Sequence, residues 1–320
     1  MVADQGKIRG SMNSLLPDND APLVSVVIPI FNRAAFMDEA VNSVMSQTFT
    51  NWELILVDDG STDGSFEKAQ GWAERHPDRI RCITHEGRVN RGISATRNRG
   101  NQVARGSYLA CLDSDDKWVP EKLERQIAIV RRHPEVGMIG GATMYWVPAE
   151  PWQNKLQSAG GPQNEVIGPP RLFYEMYPLG TGTSPSINTV LLRRDVAERI
   201  GGWEEDFRTS YEDQAMLIKV YLTEKVYLSS EQCDLYRQHP DTIMKTELVR
   251  HHYFRQRFKY LVWLESWLQR EQPGRKAELA LVRSRLREKK LLICRNPVGL
   301  FTWRAIRKVG KLLGIVPTEV

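Results

Sequence analysis

Between residues 23 and 147, short aliphatic and β-branched runs alternate with stretches whose apolar positions recur every three or four residues. The runs "LVSVVIPI", "WELILVDD", "RIRCITH", "SYLACLDSD" and "VGMIGGATMYW" predict buried strands. The intervening stretches predict amphipathic helices. In "AAFMDEAVNSVMSQ", Phe36, Ala40, Val41 and Val44 share a face, and in "PEKLERQIAIVRRH" Pro120 suits a first helical position. Regular alternation of the two predicts βαβ units and a largely parallel sheet flanked by helices.

The alternation stops at residue 148. Residues 148–170, "PAEPWQNKLQSAGGPQNEVIGPP", are rich in Pro, Gly and Gln and read as a long functional loop. A strand over "INTVLLRR" follows, then a helix over "RDVAERI" closed by Gly201 and Gly202, then a second helix from near Tyr211. From residue 243 the chain reads as helical almost throughout, with breaks at Gln272-Pro273-Gly274 and Asn296-Pro297. The expected organisation is a loose leader over residues 1–22, an α/β domain over 23–242 and a basic helical extension over 243–320.

Composition narrows the class. Hydrophobic residues at 41% and charged ones at 26% are those of a globular chain, and no apolar run of about 18 residues exists to span a bilayer. The polar leader lacks the apolar segment of a secretory signal, which points to the cytoplasm. Cys82, Cys111, Cys233 and Cys294 are far apart without a CxxC pair, so neither a zinc site nor a disulfide framework is expected. The charge is uneven: from residue 250 there are 17 Lys and Arg against 5 Asp and Glu, and before it 27 against 34.

Ligands of open α/β sheets bind at the carboxyl ends of the strands, which directs attention to "PIFNR", "DDGSTD" and "LDSDDKW". Asp58, Asp59 and Asp63 suit turn and cap chemistry as well as a site. Because side chains alternate along a strand, one of Asp58 and Asp59 is expected to turn toward a pocket and the other to pack. Asp113, Asp115 and Asp116 place three carboxylates within four positions, a cluster that calls for a cation. Hard oxygen ligands suit Mg²⁺ or Mn²⁺. Asp213 in "YEDQAM" remains open between two readings, since Ser210 and Asp213 have the spacing of a capping box and a carboxylate there also suits a general base.

The ordered segments "VSVVIPIFNR", "SQTFTNWELILVDDGSTDGS", "NRGISATRNRGNQVARGSYLACLDSDDKWVPEKLE", "GGWEEDF", "YEDQAMLIKVY" and "YRQH" resemble the motifs of family 2 glycosyltransferases with the GT-A fold. The resemblance spans roughly residues 23–243 and is weakest over 148–170. It implies a Rossmann-like GT-A domain, a nucleotide-sugar donor, a divalent cation (Mn²⁺ or Mg²⁺) and inverting transfer to a hydroxyl. It places Pro29 and Asn32 in the nucleotide pocket, with Asp59 accepting a hydrogen bond from the base. A carboxylate accepts the imino N–H of uracil or thymine and also suits guanine, so a UDP-sugar is favoured without excluding others. The resemblance sets Asp113 toward the ribose and Asp115 on the metal, with Asp116 behind it or capping the next helix. His239 matches a position giving a third metal or phosphate contact, beside the alternative of a surface histidine. Arg97 is weighed equally between a phosphate contact and a structural salt bridge. Asp213 becomes the base, with Glu212 and Glu205 next in line near the acceptor, and Trp203 either offers its face to a sugar or is a buried aromatic.

Other classes fit less well. A nicotinamide-dependent enzyme needs G-x-G-x-x-G after the first strand, and a nucleotidyltransferase a Gly-rich basic loop there; "PIFNR" is neither. A catalytically weak nucleotide-sugar-binding protein would lack Asp113, Asp115 or Asp213, and all three are present. The basic stretch "HHYFRQRFKYLVWLESWLQR" has helical apolar spacing and no nucleic-acid motif, so no nucleic acid partner is expected. In "VGLFTWRAIRKVGKLLGIV", Arg304, Arg307, Lys308 and Lys311 fall on one helical face opposite Val298, Phe301, Val309 and Leu312. That pattern suits docking on an anionic membrane surface, with a glycan or lipid-linked acceptor nearby, and equally the packing of its apolar face on the preceding helices with the basic face solvated.

Overall fold

The computed structural model describes residues 23–208, 210–238 and 247–295, with side chains of the last segment described over 255–288. The chain divides into two compact units, Met1–Thr242 and Ile243–Val320. In the first, the elements in order are β1 (Val24–Ile30), α1 (Met37–Met45), β2 (Trp52–Asp58), α2 (Ser65–Arg75), β3 (Ile80–Thr84), α3 (Ile93–Val103), β4 (Tyr108–Cys111), β5 (Lys117–Trp118), α4 (Lys122–Arg132) and β6 (Met138–Trp146). They continue with β7 (Lys155–Gln157), β8 (Val166–Ile167), α5 (Arg171–Glu175), β9 (Leu191–Arg193), α6 (Arg194–Arg199), α7 (Glu212–Thr223) and β10 (Val226–Arg237).

The strands form one mixed sheet in the order β3-β2-β1-β4-β9-β6-β10-β5, with β7 added to β6 and β8 to β10. The βαβ alternation foreseen from the sequence builds the parallel half, β3-β2-β1-β4. Strands β1 and β2 are buried along their length because helices cover both faces, which is why they read as unbroken aliphatic runs. Beyond β4, short antiparallel contacts of β9 reverse the direction before β6 and β10 pair in parallel.

Packing is tight where α3 crosses the sheet. A Cβ on Gly100 would lie 2.5 Å from a Val27 methyl, so only glycine lets the helix approach β1 this closely. Met37, Ala40, Val41 and Val44 bury the inner face of α1, while Phe36 stays at its partly exposed N-terminus.

Several local expectations change. Helix α4 begins at Lys122, two residues after Pro120, because the Pro120 carbonyl is turned to accept the Thr48 N–H at 3.0 Å. The expected strand over "INTVLLRR" splits into a 3₁₀ turn, Ile187–Thr189, and β9. Residues 148–170 contain two short strands that pair with β6 and β10, so backbone pairing claims part of what reads as loop.

The second unit contains α8 (Glu247–Glu271) and α9 (Lys276–Arg295), separated at Gln272-Pro273-Gly274. Tyr260, Leu261, Leu264 and Leu268 of α8 and Val282 and Leu286 of α9 are buried, and Arg283 donates to Glu265 across the pair at 2.7 Å. No helix among the described residues is long and apolar enough to cross a membrane. The leader, the break at Asn296-Pro297 and the basic helix beyond it lie outside the described residues.

Candidate active site

Because β2, β1 and β4 run parallel, their carboxyl ends emerge together, and the Asp59 N–H donates to the Ile30 carbonyl at 2.8 Å. Pro29 is buried inside β1 and shapes this edge by what it lacks. The Val27 carbonyl accepts from the Leu112 N–H at 3.0 Å, and the next rung of a parallel ladder would need an N–H at position 29. Proline has none, so the chain leaves the sheet there and the turn Asp113–Asp116 begins. Asn32 follows with φ 52, a left-handed conformation that asparagine tolerates, and its Oδ1 accepts the Thr62 N–H at 2.9 Å.

The two acids ending β2 diverge. Asp58 is fully buried and folds back to accept the Gly60 and Ser61 N–H groups at 3.1 and 3.2 Å. Asp59 faces the other way and accepts from the Arg91 and Gly92 N–H groups at 2.6 and 2.9 Å, with His85 Nε2 at 3.5 Å. It therefore anchors the start of α3, where Gly92 has φ 90 and enters the helix as its N-cap. Alternation along the strand separates the pair as expected.

Arg97, on α3, joins two acidic groups that lie far apart in sequence. Its side chain is 1% exposed, its Nη2 donates to Asp113 Oδ1 at 2.6 Å, and its Nη1 stands 3.8 Å from Glu212 Oε1. Its Nε and Nη1 have no hydrogen-bond partner, and neither has Glu212 Oε2. The guanidinium lies over the Trp203 ring, 4.5 Å from its centroid. Trp203 is thus buried with a face covered by Arg97, which is the buried-aromatic reading and not that of a ring offered to a sugar. Of the two readings of Arg97, the structure contains the salt bridge.

Glu212 and Asp213 open α7 without a capping box. The N-cap is Tyr211 in a left-handed conformation, not Ser210, whose hydroxyl has no partner among the described residues. Asp213 Oδ1 accepts the Gln214 N–H at 2.7 Å, so no capping box forms. Burial, reinforced by Asp213, pushes Glu212 up to about 7. Burial also raises Asp213, against the lowering effects of the Gln214 N–H and Arg97. Glu205 is exposed and accepts at 3.0 Å from Asn98 Nδ2, the nitrogen that also donates to the Trp203 carbonyl.

In the turn after β4, Asp113 is partly exposed, and Asp115 accepts from Arg33 Nε at 3.1 Å. Asp116 points inward and is not a cap, since the N-cap of α4 is Glu121. Burial, with Asp113 adding repulsion, pushes Asp116 up to about 9. Among the described residues no three His, Cys, Asp or Glu side chains converge as a protein-only metal site. Two neighbouring carboxylates on an open turn nevertheless fit a hard cation that takes its remaining oxygens from a diphosphate. His239 lies outside the described residues. Arg33 and Arg237 stood inside the motifs of the resemblance without a role, and Asn188 gave no signal in the sequence; all three touch this turn.

The glycosyl transferase family 2 pattern matches residues 25–201, more than half of the chain. The chain belongs to glycosyl transferase family 2. It is 38% identical over 122 residues to the putative glycosyltransferase EpsE of Bacillus subtilis, covering 38% of this chain and 43% of EpsE. It is 42% identical over 109 residues to the putative teichuronic acid biosynthesis glycosyltransferase TuaG of the same species, covering 34% and 42%. With the Escherichia coli UDP-Glc:alpha-D-GlcNAc-diphosphoundecaprenol beta-1,3-glucosyltransferase WfgD it shares 35% over 114 residues, covering 36% and 43%. The matched segments span about two fifths of these relatives. In fold, the chain is similar to S. aureus TarS 1–349 in complex with UDP-GlcNAc, with TM-score 0.57, 20% identity and coverage of 80% and 70%. It is also similar to the Pyrobaculum calidifontis mannosyltransferase PcManGT in complex with GDP-Man and Mn²⁺, with TM-score 0.53, 18% identity and coverage of 91% and 81%. The fold is GT-A.

Proposed function

We propose that this family 2 enzyme transfers a sugar, with inversion and with a divalent cation, from a nucleotide-diphosphate donor to a hydroxyl of a glycan or lipid-linked acceptor. The observation that carries this is the Arg97 bridge, which holds the Asp113 turn and the Glu212–Asp213 pair side by side at the sheet edge. A donor-binding group and a proton acceptor must be adjacent for displacement at one carbon.

In this reading Asn32 and the edge shaped by Pro29 hold the nucleotide, Asp59 accepts from the base and Asp113 from the ribose. Asp115, joined by His239, holds Mn²⁺ or Mg²⁺. The cation supplies neutralisation of the charge that develops on the departing diphosphate. Asp213 takes the acceptor hydroxyl's proton as the acceptor oxygen bonds to the anomeric carbon and the carbon–phosphate-oxygen bond breaks on the opposite face, which inverts the centre. Glu212 sets the field around Asp213, and Glu205 lies on the acceptor side.

UDP-sugars are the favoured donors; TarS with UDP-GlcNAc supports that choice, while PcManGT with GDP-Man keeps guanine in the screen. The names of WfgD and TuaG support a lipid-linked or surface-polysaccharide acceptor. Attachment of the basic segment after Asn296 to an anionic cytoplasmic leaflet belongs to the same reading, and flotation with anionic and neutral vesicles tests it. For the reaction, nucleotide sugars are screened for Mn²⁺-dependent release of the nucleoside diphosphate. Release from one sugar nucleotide, abolished by chelation, is expected; no release from any of them with or without acceptor would overturn the proposal.

A further inference from the structure

The turn that carries Asp113 and Asp115 is held from behind at both ends. Asn188, fully buried in the 3₁₀ turn before β9, accepts the Asp113 N–H on its Oδ1 at 2.9 Å and donates its Nδ2 to Asp116 Oδ2 at 2.6 Å. The other oxygen of Asp116 accepts the Arg237 N–H at 2.7 Å, and Arg237 Nε donates to the Asp115 carbonyl at 2.9 Å. Asn188 is itself fixed, because Trp118 Nε1 donates to its carbonyl at 2.8 Å. Arg237 is fixed by Glu39 at 2.9 Å and by the rings of Phe36 and Trp146.

We propose that Asp116, Asn188 and Arg237 are positioning residues that preset the spacing of Asp113 and Asp115 for the cation and nucleotide. Asn188 grips the turn at its first acid and, through Asp116, at its last, while Arg237 grips the peptide between Asp115 and Asp116. A carboxamide is the side chain this task needs, since it must accept from a backbone N–H and donate to an Asp116 oxygen at once. With both oxygens of Asp116 occupied by protein donors, that acid is withheld from the cation, while Asp113 and Asp115 stay partly exposed. The inference rests on the assignment of the cation to Asp115.

Exchange of the two partners tests it. Asp116→Asn alone faces two amides toward each other, and Asn188→Asp alone faces two carboxylates. The double variant Asp116→Asn/Asn188→Asp reverses the bond between them while preserving acceptors for the Asp113 and Arg237 N–H groups. UDP affinity of the full chain is measured by calorimetry with and without Mn²⁺, alongside thermal unfolding. Each single variant is expected to lose about tenfold or more of its Mn²⁺-dependent UDP affinity, with cation-free UDP binding within about threefold, and the double variant to recover most of the loss. Arg237→Lys, which removes the Nε donor and keeps the backbone one, is expected to show a smaller loss of the same kind. Single variants that bind as the wild type, or a double variant that does not fold or folds without recovering, overturn the inference. Asp115→Ala is the separate control: if it retains Mn²⁺-dependent binding, the cation is not held at this turn and the inference falls with that assignment.

Discussion

Arg97 donates to Asp113 at 2.6 Å from a side chain that is almost wholly enclosed, so the cation of α3 and the first acid of the turn after β4 form one buried-to-surface pair. Removing the cation leaves Asp113 and Glu212 facing each other without compensation. Arg97→Met is expected to destabilise the first unit by about 3 kcal/mol, read as a lowered Tm, with Arg97→Lys in between. A wild-type Tm for Arg97→Met would show that the bridge carries no stability.

Asp213→Asn separates binding from chemistry. A base used only in the chemical step should lower kcat by about a hundredfold or more while leaving UDP binding within about threefold. Glu212→Gln, which keeps the shape of the neighbour, should lower kcat less. Near-normal transfer by Asp213→Asn would move the base to Glu212 or Glu205.

The acid limb of the rate profile should lie well above the ordinary carboxylate values. Glu212 is pushed up to about 7 and Asp213 is raised too, and two adjacent acids titrate as a pair. Transfer is therefore expected to fall as pH drops through the neutral region. An acid limb at 4.5, the unperturbed glutamate value, would remove this assignment.

Asp59→Asn tests the base contact. It preserves an acceptor but loses the charge that holds the Arg91 and Gly92 N–H groups, and it presents a donor where one oxygen now accepts. UDP affinity should fall about tenfold. Unchanged affinity for UDP, GDP and dTDP would leave Asp59 as an anchor of α3 alone.

Asp234 is wholly buried on β10, and neither of its oxygens is paired at hydrogen-bond geometry. Burial pushes its carboxyl from 3.8 up to about 7, although Thr143, Asn188 and Lys122 hold the shift back. Its contribution to stability is complete below 3.8 and is lost as pH rises through about 7, because the unfolded chain ionises first. Asp234→Asn should therefore raise stability at alkaline pH by on the order of 2 kcal/mol, with the gain shrinking toward acid. A pH-independent difference in unfolding free energy would refute this.

Gly100→Ala should cost about 1–3 kcal/mol by driving α3 off β1, whereas Gly168→Ala should stay within about 0.5 kcal/mol. The contrast follows from the Val27 methyl, 2.5 Å from where a Cβ at residue 100 would stand, and from the open space around residue 168. Equal Tm values would show that the helix can shift without cost.

Local pattern was enough for the parallel half of the sheet, the helices between its strands and the presence of Asp59, Asp113 and Asp115 at strand ends, because each is written in periodicity and in which residue follows a buried run. It also separated Asp58 from Asp59, since alternation needs only two neighbours. Only the folded chain set Arg97 over Trp203, put Tyr211 rather than Ser210 before α7, and brought Asn188 and Arg237 to Asp116 from 72 and 121 residues away. A buried charge or amide takes whatever donor the folded chain carries to it, and that depends on the crossing of distant segments, which no local pattern of apolar and polar positions encodes.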